Sequence, residues 1–314
     1  MLDIAALVLP LFALVFLGYA SGRLVRLPVE GLAWLNFFVV WVALPPLFFN
    51  LLARTPVEKF DELWFLAGTT VATFATFALC FSAALLLRRG DVRVATIQGF
   101  AGAYGNIGYL GPPLAIAAFG PAAGVPVALV FCFDNSMHFT LAPLLMALGA
   151  KERRRLLPLV GGIARKILTH PFILSTLAGV AAAFAGWLPP APVQQVLDTL
   201  AGAAAPCALF AMGVTAALRP LRRVPIELAW LVPVKLVVHP LVVWALVSPL
   251  PGVDPVWLHS AMLLAALPSA TNVFVIAQQY GVWEQRASSA VVVSTGLSIV
   301  TVTGFLWLVR EGVF

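Results

Sequence analysis

The chain has 314 residues, of which 61% are hydrophobic and only 10% are charged, and its mean hydropathy is +1.00. These values exclude a water-soluble fold of ordinary composition, because such a fold could not bury this much apolar surface, and they predict a protein that has lipid as its solvent. The net charge of +6 would suggest nucleic acid as the partner of a soluble protein, but membrane topology and anionic lipid explain the basic residues, so we expect no nucleic acid as a partner.

Ten apolar segments follow one another along the chain, and each has the length that a membrane-spanning helix needs. They cover residues 3–22, 32–53, 62–87, 94–118, 124–148, 168–187, 195–218, 225–248, 256–280 and 287–309. The first segment lacks a basic start and runs directly into further spans, so we interpret it as a retained helix and not as a signal peptide. Short connections leave no room for a soluble domain. The sequence therefore predicts an all-α polytopic membrane protein.

The basic residues fall mainly on one side of these predicted spans. Fifteen of the 19 lysines and arginines follow odd-numbered spans, and three follow even-numbered spans. Under the positive-inside rule, the side with the larger number is cytoplasmic. We therefore expect both termini to lie outside the cytoplasm.

The chain also resembles itself at an offset of 161 residues. The matched positions are Pro10 with Pro171, Gly18 with Gly179, Pro28 with Pro189, Pro45 with Pro206, and Gly120 with Gly281. Five spans per copy would bring the second copy into the membrane from the opposite side, so we predict inverted repeats over residues 1–149 and 168–314. A basic cytoplasmic linker over residues 150–167 would join them. Pro45 and Pro206 are expected to break, or only to kink, the second and seventh spans.

The fourth predicted span contains glycine at every third position over residues 99–111, and Pro112 and Pro113 follow directly. Glycine costs about 1 kcal/mol and interior proline about 3 kcal/mol in a helix, so we predict that this span is broken. The freed backbone must then be buried in protein or line a watery cavity. Gly105 and Asn106 lie within the predicted break. Close packing of small residues between helices is an alternative for the glycines, but it does not account for Asn106.

Two ionisable residues lie near the middle of predicted spans, Asp134 in the fifth and Lys235 in the eighth. A charge at that depth costs about 2.5–3.5 kcal/mol on insertion scales, so both should face the protein interior or water. Each is followed four residues later by a histidine, His138 or His239, on the same helix face. These four residues could couple transport to a proton or attract an anionic substrate. Equally, Asp134 and Lys235 could form an ion pair that only holds helices together.

The ninth predicted span has a proline near its middle, with hydroxyl and amide side chains beside it. Breaks in corresponding spans of two inverted repeats are typical of substrate sites in transporters, because the N-termini of half-helices carry partial positive charge. Amide side chains can also both donate and accept hydrogen bonds. The predicted substrate-binding residues are Gly105, Asn106, Pro112, Pro113, Pro268, Ser269, Thr271 and Asn272.

Two of these segments resemble a known family. GNIGYLGPPLA, residues 105–115, and LPSATNVFVIAQQYG, residues 267–281, are similar to the fourth and ninth spans of the auxin efflux carrier family, which includes plant PIN proteins and bacterial malonate and malate permeases. The resemblance covers nearly the whole chain, but the long central loop of many plant members is absent, so the bacterial branch fits better. It implies a bile-acid-transporter-like fold in the bacterial cytoplasmic membrane, whose fourth and ninth helices cross at the site. By motif, the crossing would involve Asn106, Pro112, Pro113, Pro268 and Asn272.

These observations together predict a secondary transporter that moves a small organic anion by alternating access. The family suggests a carboxylate such as malonate or malate, or an auxin-like weak acid. Membrane lipid is the other expected partner, no cofactor or metal is expected, and a homodimer is left open. Proton coupling or simple uniport is favoured over sodium coupling, because no cluster of carboxylates is evident in the sequence.

Two other functions compete with transport. A ligand-binding channel or sensor would share the broken spans. An intramembrane enzyme would use Asp134, Ser136 and His138, but an aspartyl protease needs a second membrane carboxylate, and neither GxSxG nor HExxH occurs in the sequence. We therefore do not expect an enzyme.

Overall fold

A computed structural model describes residues 2–25, 28–60, 62–87, 90–150, 156–218 and 224–314. Over these ranges the chain is α-helical, with one isolated β-bridge, which confirms the predicted all-α class. The helices are α1 (Leu2–Val25), α2 (Leu32–Phe37), α3 (Leu44–Ala53), α4 (Leu63–Leu87), α5 (Val92–Ala103), α6 (Ile107–Phe119), α7 (Gly124–Leu148), α8 (Leu156–Leu168), α9 (Pro171–Ala185), α10 (Ala191–Leu218), α11 (Leu228–Pro233), α12 (His239–Val247), α13 (Pro255–Ala266), α14 (Thr271–Tyr280) and α15 (Glu284–Arg310). Two π-helical segments, Phe38–Ala43 and Val234–Val238, join α2 to α3 and α11 to α12.

Six helical stretches in the described part of the chain are long and apolar enough to cross a membrane. They are Leu32–Ala53, Leu63–Leu87, Pro121–Leu148, Ala191–Leu218, Leu228–Val247 and Glu284–Arg310. Four shorter apolar helices accompany them: Leu9–Val25, Ile107–Phe119, Pro171–Ala185 and Pro255–Ala266. The protein is therefore a multi-pass membrane protein.

Many of the basic residues that carry the orientation prediction lie outside the described residues. They are Arg26, Arg88, Arg89, Lys151, Arg153, Arg154, Arg155, Arg219, Arg222 and Arg223. The orientation of the termini therefore stays a prediction. The described part of the predicted linker contains α8, a helix that was not predicted and that is too short to span a bilayer.

The fourth and ninth predicted spans are each interrupted, at residues 104–106 and 267–270. The interruption of the fourth span is not at its prolines, because Pro112 and Pro113 both lie inside α6. Backbone groups freed in a membrane need new partners, and residues 104–106 find theirs in the backbone of the other interruption. Of the two alternatives at Pro206, a break or only a kink, the break is wrong, since α10 continues through this residue.

By contacts between residues, the chain divides into two compact units. The first contains Met1–Leu63, Ile107–Cys132 and Thr169–Pro220. The second contains Trp64–Asn106, Phe133–Leu168 and Leu221–Phe314. Each unit therefore takes segments from both halves of the chain.

In the first unit, α1 packs along α10 and α3 packs along α9. Glycine allows the backbones of these helices to approach closely. A Cβ atom on Gly18 would lie 2.2 Å from the carbonyl oxygen of Phe210, and one on Gly179 would lie 2.9 Å from the carbonyl oxygen of Phe49. Gly18 therefore permits close backbone packing of α1 on α10, and Gly179 permits close backbone packing of α9 on α3.

In the second unit, α13 packs against α12 and α15, and α14 packs against α15. The α5 helix lies against α4, where Gly102 leaves space for the Cys80 side chain and the Phe77 ring packs on Phe100 at a centroid distance of 5.0 Å. Buried apolar side chains of α4, α5, α7, α11, α14 and α15 join in one core. This core supports both interrupted spans.

Candidate functional site

The interruptions of the fourth and ninth spans pair with each other through their backbones. The Asn106 N–H donates to the Pro268 carbonyl at 2.8 Å. In the reverse direction, the Ala270 N–H donates to the Tyr104 carbonyl, also at 2.8 Å. Four backbone groups, two N–H donors and two carbonyl acceptors, are thereby satisfied at a place where the helices leave them without partners. The two interrupted segments are therefore in direct contact.

Ser269 fixes this pairing to the neighbouring helices. It forms the antiparallel bridge with Gly105 at the centre of the pairing. Its hydroxyl donates to the carbonyl of Ala101 at 2.7 Å, and its N–H donates to the hydroxyl of Ser294 at 3.1 Å. The Ala101 carbonyl belongs to the last turn of α5, where carbonyl groups lack an N–H donor from the following turn of the helix. The Ser269 hydroxyl supplies the missing donor.

The α14 helix begins at the interruption of the ninth span without a capping side chain. Its N-cap residue is Ala270, and Thr271 is the first helical residue. By contrast, α5 and α13 begin with aspartate caps: Asp91 accepts from two backbone N–H groups at 3.1 Å, and Asp254 accepts from one at 2.8 Å. The uncapped first turn of α14 therefore presents N–H groups and the positive end of the helix dipole, which suit an anion.

A short chain of hydrogen bonds joins the start of α14 to α7. The Asn272 side chain, on an exposed residue, donates through Nδ2 to the Tyr104 hydroxyl at 2.9 Å. That hydroxyl donates in turn to Oδ1 of Asn135 at 2.5 Å. Tyr104 and Asn135 are both buried. The tyrosine thus orients two amides, one of which is the predicted site residue Asn272.

The Tyr104 ring also stacks on the imidazole of His138, with centroids 3.9 Å apart and planes 12° apart. His138 Nδ1 lies 2.5 Å from the carbonyl oxygen of Asp134. Because a carbonyl can only accept, Nδ1 carries the proton and Nε2 is the acceptor. His138 is fully buried, and Nε2 has no hydrogen-bond partner among the described residues.

The other predicted ionisable residues form a second polar chain in the same unit. Thr73 donates to Oδ2 of Asp134 at 3.2 Å, and His239 Nε2 lies 3.3 Å from the Thr73 hydroxyl. His239 Nδ1 lies 3.3 Å from Nζ of Lys235. The exposed fractions are 3% for Asp134 and Thr73, 2% for His239 and 0% for Lys235. Asp134 and Lys235 are thus linked through two intermediates and not by a direct ion pair.

Lys235 connects this polar chain to the interruption of the ninth span. Its ammonium group donates to the Ala265 carbonyl in the last turn of α13. The N–H that would reach this carbonyl in a continuous helix belongs to Ser269, which bonds to Ser294 instead. A cation at the C-terminal end of a helix is favourable because that end is partly negative.

The structure places the predicted site residues in two groups. Gly105, Asn106, Pro268, Ser269, Thr271 and Asn272 all lie at the paired interruptions or at the start of α14, in the second unit. Pro112 and Pro113 lie in α6, in the first unit. Within the described ranges, no group of three histidines, cysteines or carboxylates could hold a metal ion.

Tyr104, Asn135 and Thr73 were not predicted as site residues. The available signal for the first two was their position, since Tyr104 directly precedes the predicted Gly105 and Asn135 directly follows Asp134. Thr73 is one of several threonines in an apolar span, and nothing in its local sequence distinguishes it from the others.

The chain is similar in sequence to known membrane transport proteins. Residues 3–306 match the model of a family described as "Membrane transport protein". A protein of Rhizobium meliloti (strain 1021) described as "Putative malonate transporter" is 55% identical over 312 residues, which cover 99% of this chain and 98% of that protein. An "Uncharacterized transporter" of Methanothermobacter thermautotrophicus is 28% identical over 307 residues, which cover 96% of each chain.

Proposed function

Because the chain belongs to this membrane transport family, the auxin efflux carriers, we propose that it is a secondary transporter that moves a small carboxylate across the bacterial cytoplasmic membrane by alternating access. The relative described as a malonate transporter makes malonate the first substrate to test, with malate and auxin-like weak acids after it. The observation that carries the proposal is the start of α14, which is uncapped and has Asn272 in its first turn.

The chemistry of this helix start favours a carboxylate over a cation or a neutral solute. The N–H groups at the start of the first turn and the amide of Asn272 are hydrogen-bond donors, and the helix dipole adds partial positive charge. Asn106 lies directly at the backbone pairing that brings the two interruptions together. A carboxylate bound here would receive neutral donors, so it could bind and leave without having to break an ion pair.

Close contacts in the first unit support the inverted repeat that alternating access needs. Gly18 packs against the backbone of Phe210, and Gly179 packs against the backbone of Phe49. Adding 161 to Gly18 gives Gly179, and adding 161 to Phe49 gives Phe210. The same helix contact therefore occurs twice, with the roles of the two repeats exchanged, as expected for copies related by a twofold axis.

The paired interruptions in the second unit support the same symmetry. Tyr104 and Pro268 are 164 residues apart, and so are Asn106 and Ala270. If each residue is replaced by its counterpart at this offset, the bond from Asn106 to Pro268 becomes the bond from Ala270 to Tyr104. This offset is three residues larger than that of the first unit, and it returns to 161 at Gly120 and Gly281, so we infer a three-residue insertion before the interruption of the ninth span and a three-residue deletion within α14. We propose ten spans in two inverted repeats of five, with both termini outside.

Counterflow in proteoliposomes tests the proposed function. Vesicles containing purified protein and unlabelled malonate are diluted into a trace of radiolabelled malonate, with no ion gradient. A transporter exchanges inner for outer malonate, so we expect the label to accumulate transiently above its outside concentration. Malate and an aromatic weak acid are tested in the same way.

The same assay separates the rival functions. A channel would let the label equilibrate without accumulation, and a sensor or an enzyme would leave it at the level of protein-free vesicles. Failure of every carboxylate to accumulate would contradict the proposed function.

A further inference from the structure

The polar chain from Lys235 to Asp134 can have all of its hydrogen bonds in one direction. Thr73 donates its only proton to the Asp134 carboxylate, so its oxygen is free to accept from His239 Nε2. An imidazole that donates through Nε2 accepts through Nδ1, and Lys235 lies in position to donate there. The four side chains thus form a continuous donor-to-acceptor path.

From this geometry we propose that His239 and Thr73 form a proton relay between Lys235 and Asp134, and that the relay couples carboxylate transport to proton movement. This inference rests on the proposed function and deepens it by naming the coupling ion. It also assigns roles to Thr73 and His239 as positioning and relay residues that do not touch the substrate.

Transfer along the relay is balanced. A proton leaves Nζ of Lys235 for Nδ1 of His239, and the Nε2 proton of His239 passes to the Thr73 oxygen. The original hydroxyl proton of Thr73 passes to Oδ2 of Asp134. The ammonium becomes a neutral amine, the carboxylate becomes a neutral acid, and His239 ends as its other neutral tautomer. No oxidant, reductant or further reactant is needed.

One end of the relay contacts the end of α13, and the other end is adjacent in sequence to a partner of Tyr104. Lys235 donates to the Ala265 carbonyl, at the end of α13 and two residues before the interruption. Asp134 precedes Asn135, which accepts from the Tyr104 hydroxyl. A proton transfer would remove the cation beside the end of α13 and the anion next to Asn135 in the sequence. It would thus change the charge near both interrupted spans.

Three other ionisable side chains are within electrostatic reach of the relay. They are Cys80 on α4, Tyr104 in the interruption of the fourth span, and His138 on α7. None of them interrupts the path from Lys235 to Asp134, since each step of that path is already a contact of 3.3 Å or less. The path depends on Thr73, because its single hydroxyl links His239 to Asp134.

Replacing Thr73 by valine tests the relay, because valine has the same shape and no hydroxyl. We expect proton-gradient-driven malonate accumulation to fall by at least about tenfold, since a positioned proton-transfer group contributes roughly 10²–10⁴-fold. Counterflow without a gradient should stay within about twofold of the wild type, because the substrate site is intact. Thr73→Ser, which restores the hydroxyl, should recover the gradient-driven accumulation.

Thr76→Val is the matched control. Thr76 is buried on the same helix, and its hydroxyl donates to the Ala72 carbonyl and not to the relay. We expect this variant to keep both counterflow and gradient-driven accumulation.

Each other outcome has a defined meaning. Wild-type counterflow that a proton gradient does not increase would overturn the relay and leave the proposed function standing. A Thr73→Val protein that behaves like the wild type, or that loses counterflow equally, would also overturn it, the latter in favour of a purely structural role. Absence of wild-type counterflow would overturn the proposed function, and the relay with it.

Discussion

Replacing Asn272 with alanine is expected to reduce malonate counterflow by about 10-fold to 150-fold. The amide would donate to the carboxylate, and a hydrogen bond to a charged group contributes about 1.5–3 kcal/mol. The change also removes the donor to the Tyr104 hydroxyl, so Tyr104 and Asn135 would lose part of their fixed orientation. Asn272→Asp should be at least as harmful, because it keeps the shape but places a negative charge where the anion binds.

Gln279→Ala is the control for this prediction. Gln279 is an exposed amide on the same helix, near its C-terminal end and away from the interruption. We expect it to transport like the wild type. Loss of a hydrogen bond to a charged group should reduce malonate counterflow by more than about twofold. If counterflow by Asn272→Ala also stays within about twofold of the wild type, the amide does not bind the substrate.

Gly18→Ala is expected to lower the midpoint temperature of thermal unfolding of the protein in detergent. The added Cβ atom would lie 2.2 Å from the Phe210 carbonyl oxygen, and this contact is with backbone that cannot rotate away. Overpacking of this kind costs about 1–3 kcal/mol, because α1 and α10 must separate. Gly179→Ala, at the matched position of the other repeat, should destabilise less, since its Cβ atom would lie 2.9 Å from the Phe49 carbonyl oxygen.

The matched control is Gly202→Ala in α10, where a Cβ atom would meet nothing within 4 Å. Alanine is favoured over glycine inside a helix by about 1 kcal/mol, so this variant should unfold at the wild-type temperature or above it. Equal midpoints for Gly18→Ala and Gly202→Ala would contradict the close packing of α1 on α10, and with it the repeated contact that supports the inverted repeat.

Much of the fold could be predicted because lipid imposes simple rules on the sequence. A spanning helix needs an apolar run of fixed length, so the predicted spans over residues 32–53 and 62–87 coincide closely with Leu32–Ala53 and Leu63–Leu87. The interruptions were also predictable, since glycine and proline weaken helices there. Proline alone does not mark an interruption: Pro268 lies in one, but Pro206 and Pro112 lie within helices, because one lost hydrogen bond is tolerated when the rest of the helix is packed.

The candidate site was predictable only in part. Asn106 and Asn272 were identified because amides are conspicuous beside broken apolar spans. Tyr104 and Thr73 could be assigned to the site only once it was known which helix faces are in contact. Their partners, Asn135 and His239, are distant in sequence. Span patterns cannot show that Asp134 and Lys235 are joined through Thr73 and His239, since that link requires helices α4, α7 and α12 to be placed against one another.

The paired interruptions are the proposed binding site of the carboxylate. This site is tested most directly by thermal unfolding of the purified protein with malonate, or with chloride at equal ionic strength. A ligand at 100 times its dissociation constant stabilises the folded state by about 2.7 kcal/mol, so malonate should raise the unfolding midpoint of the wild type and chloride should not. We predict that Asn106→Ala combined with Asn272→Ala removes this shift. A malonate shift that survives in the double variant would contradict it.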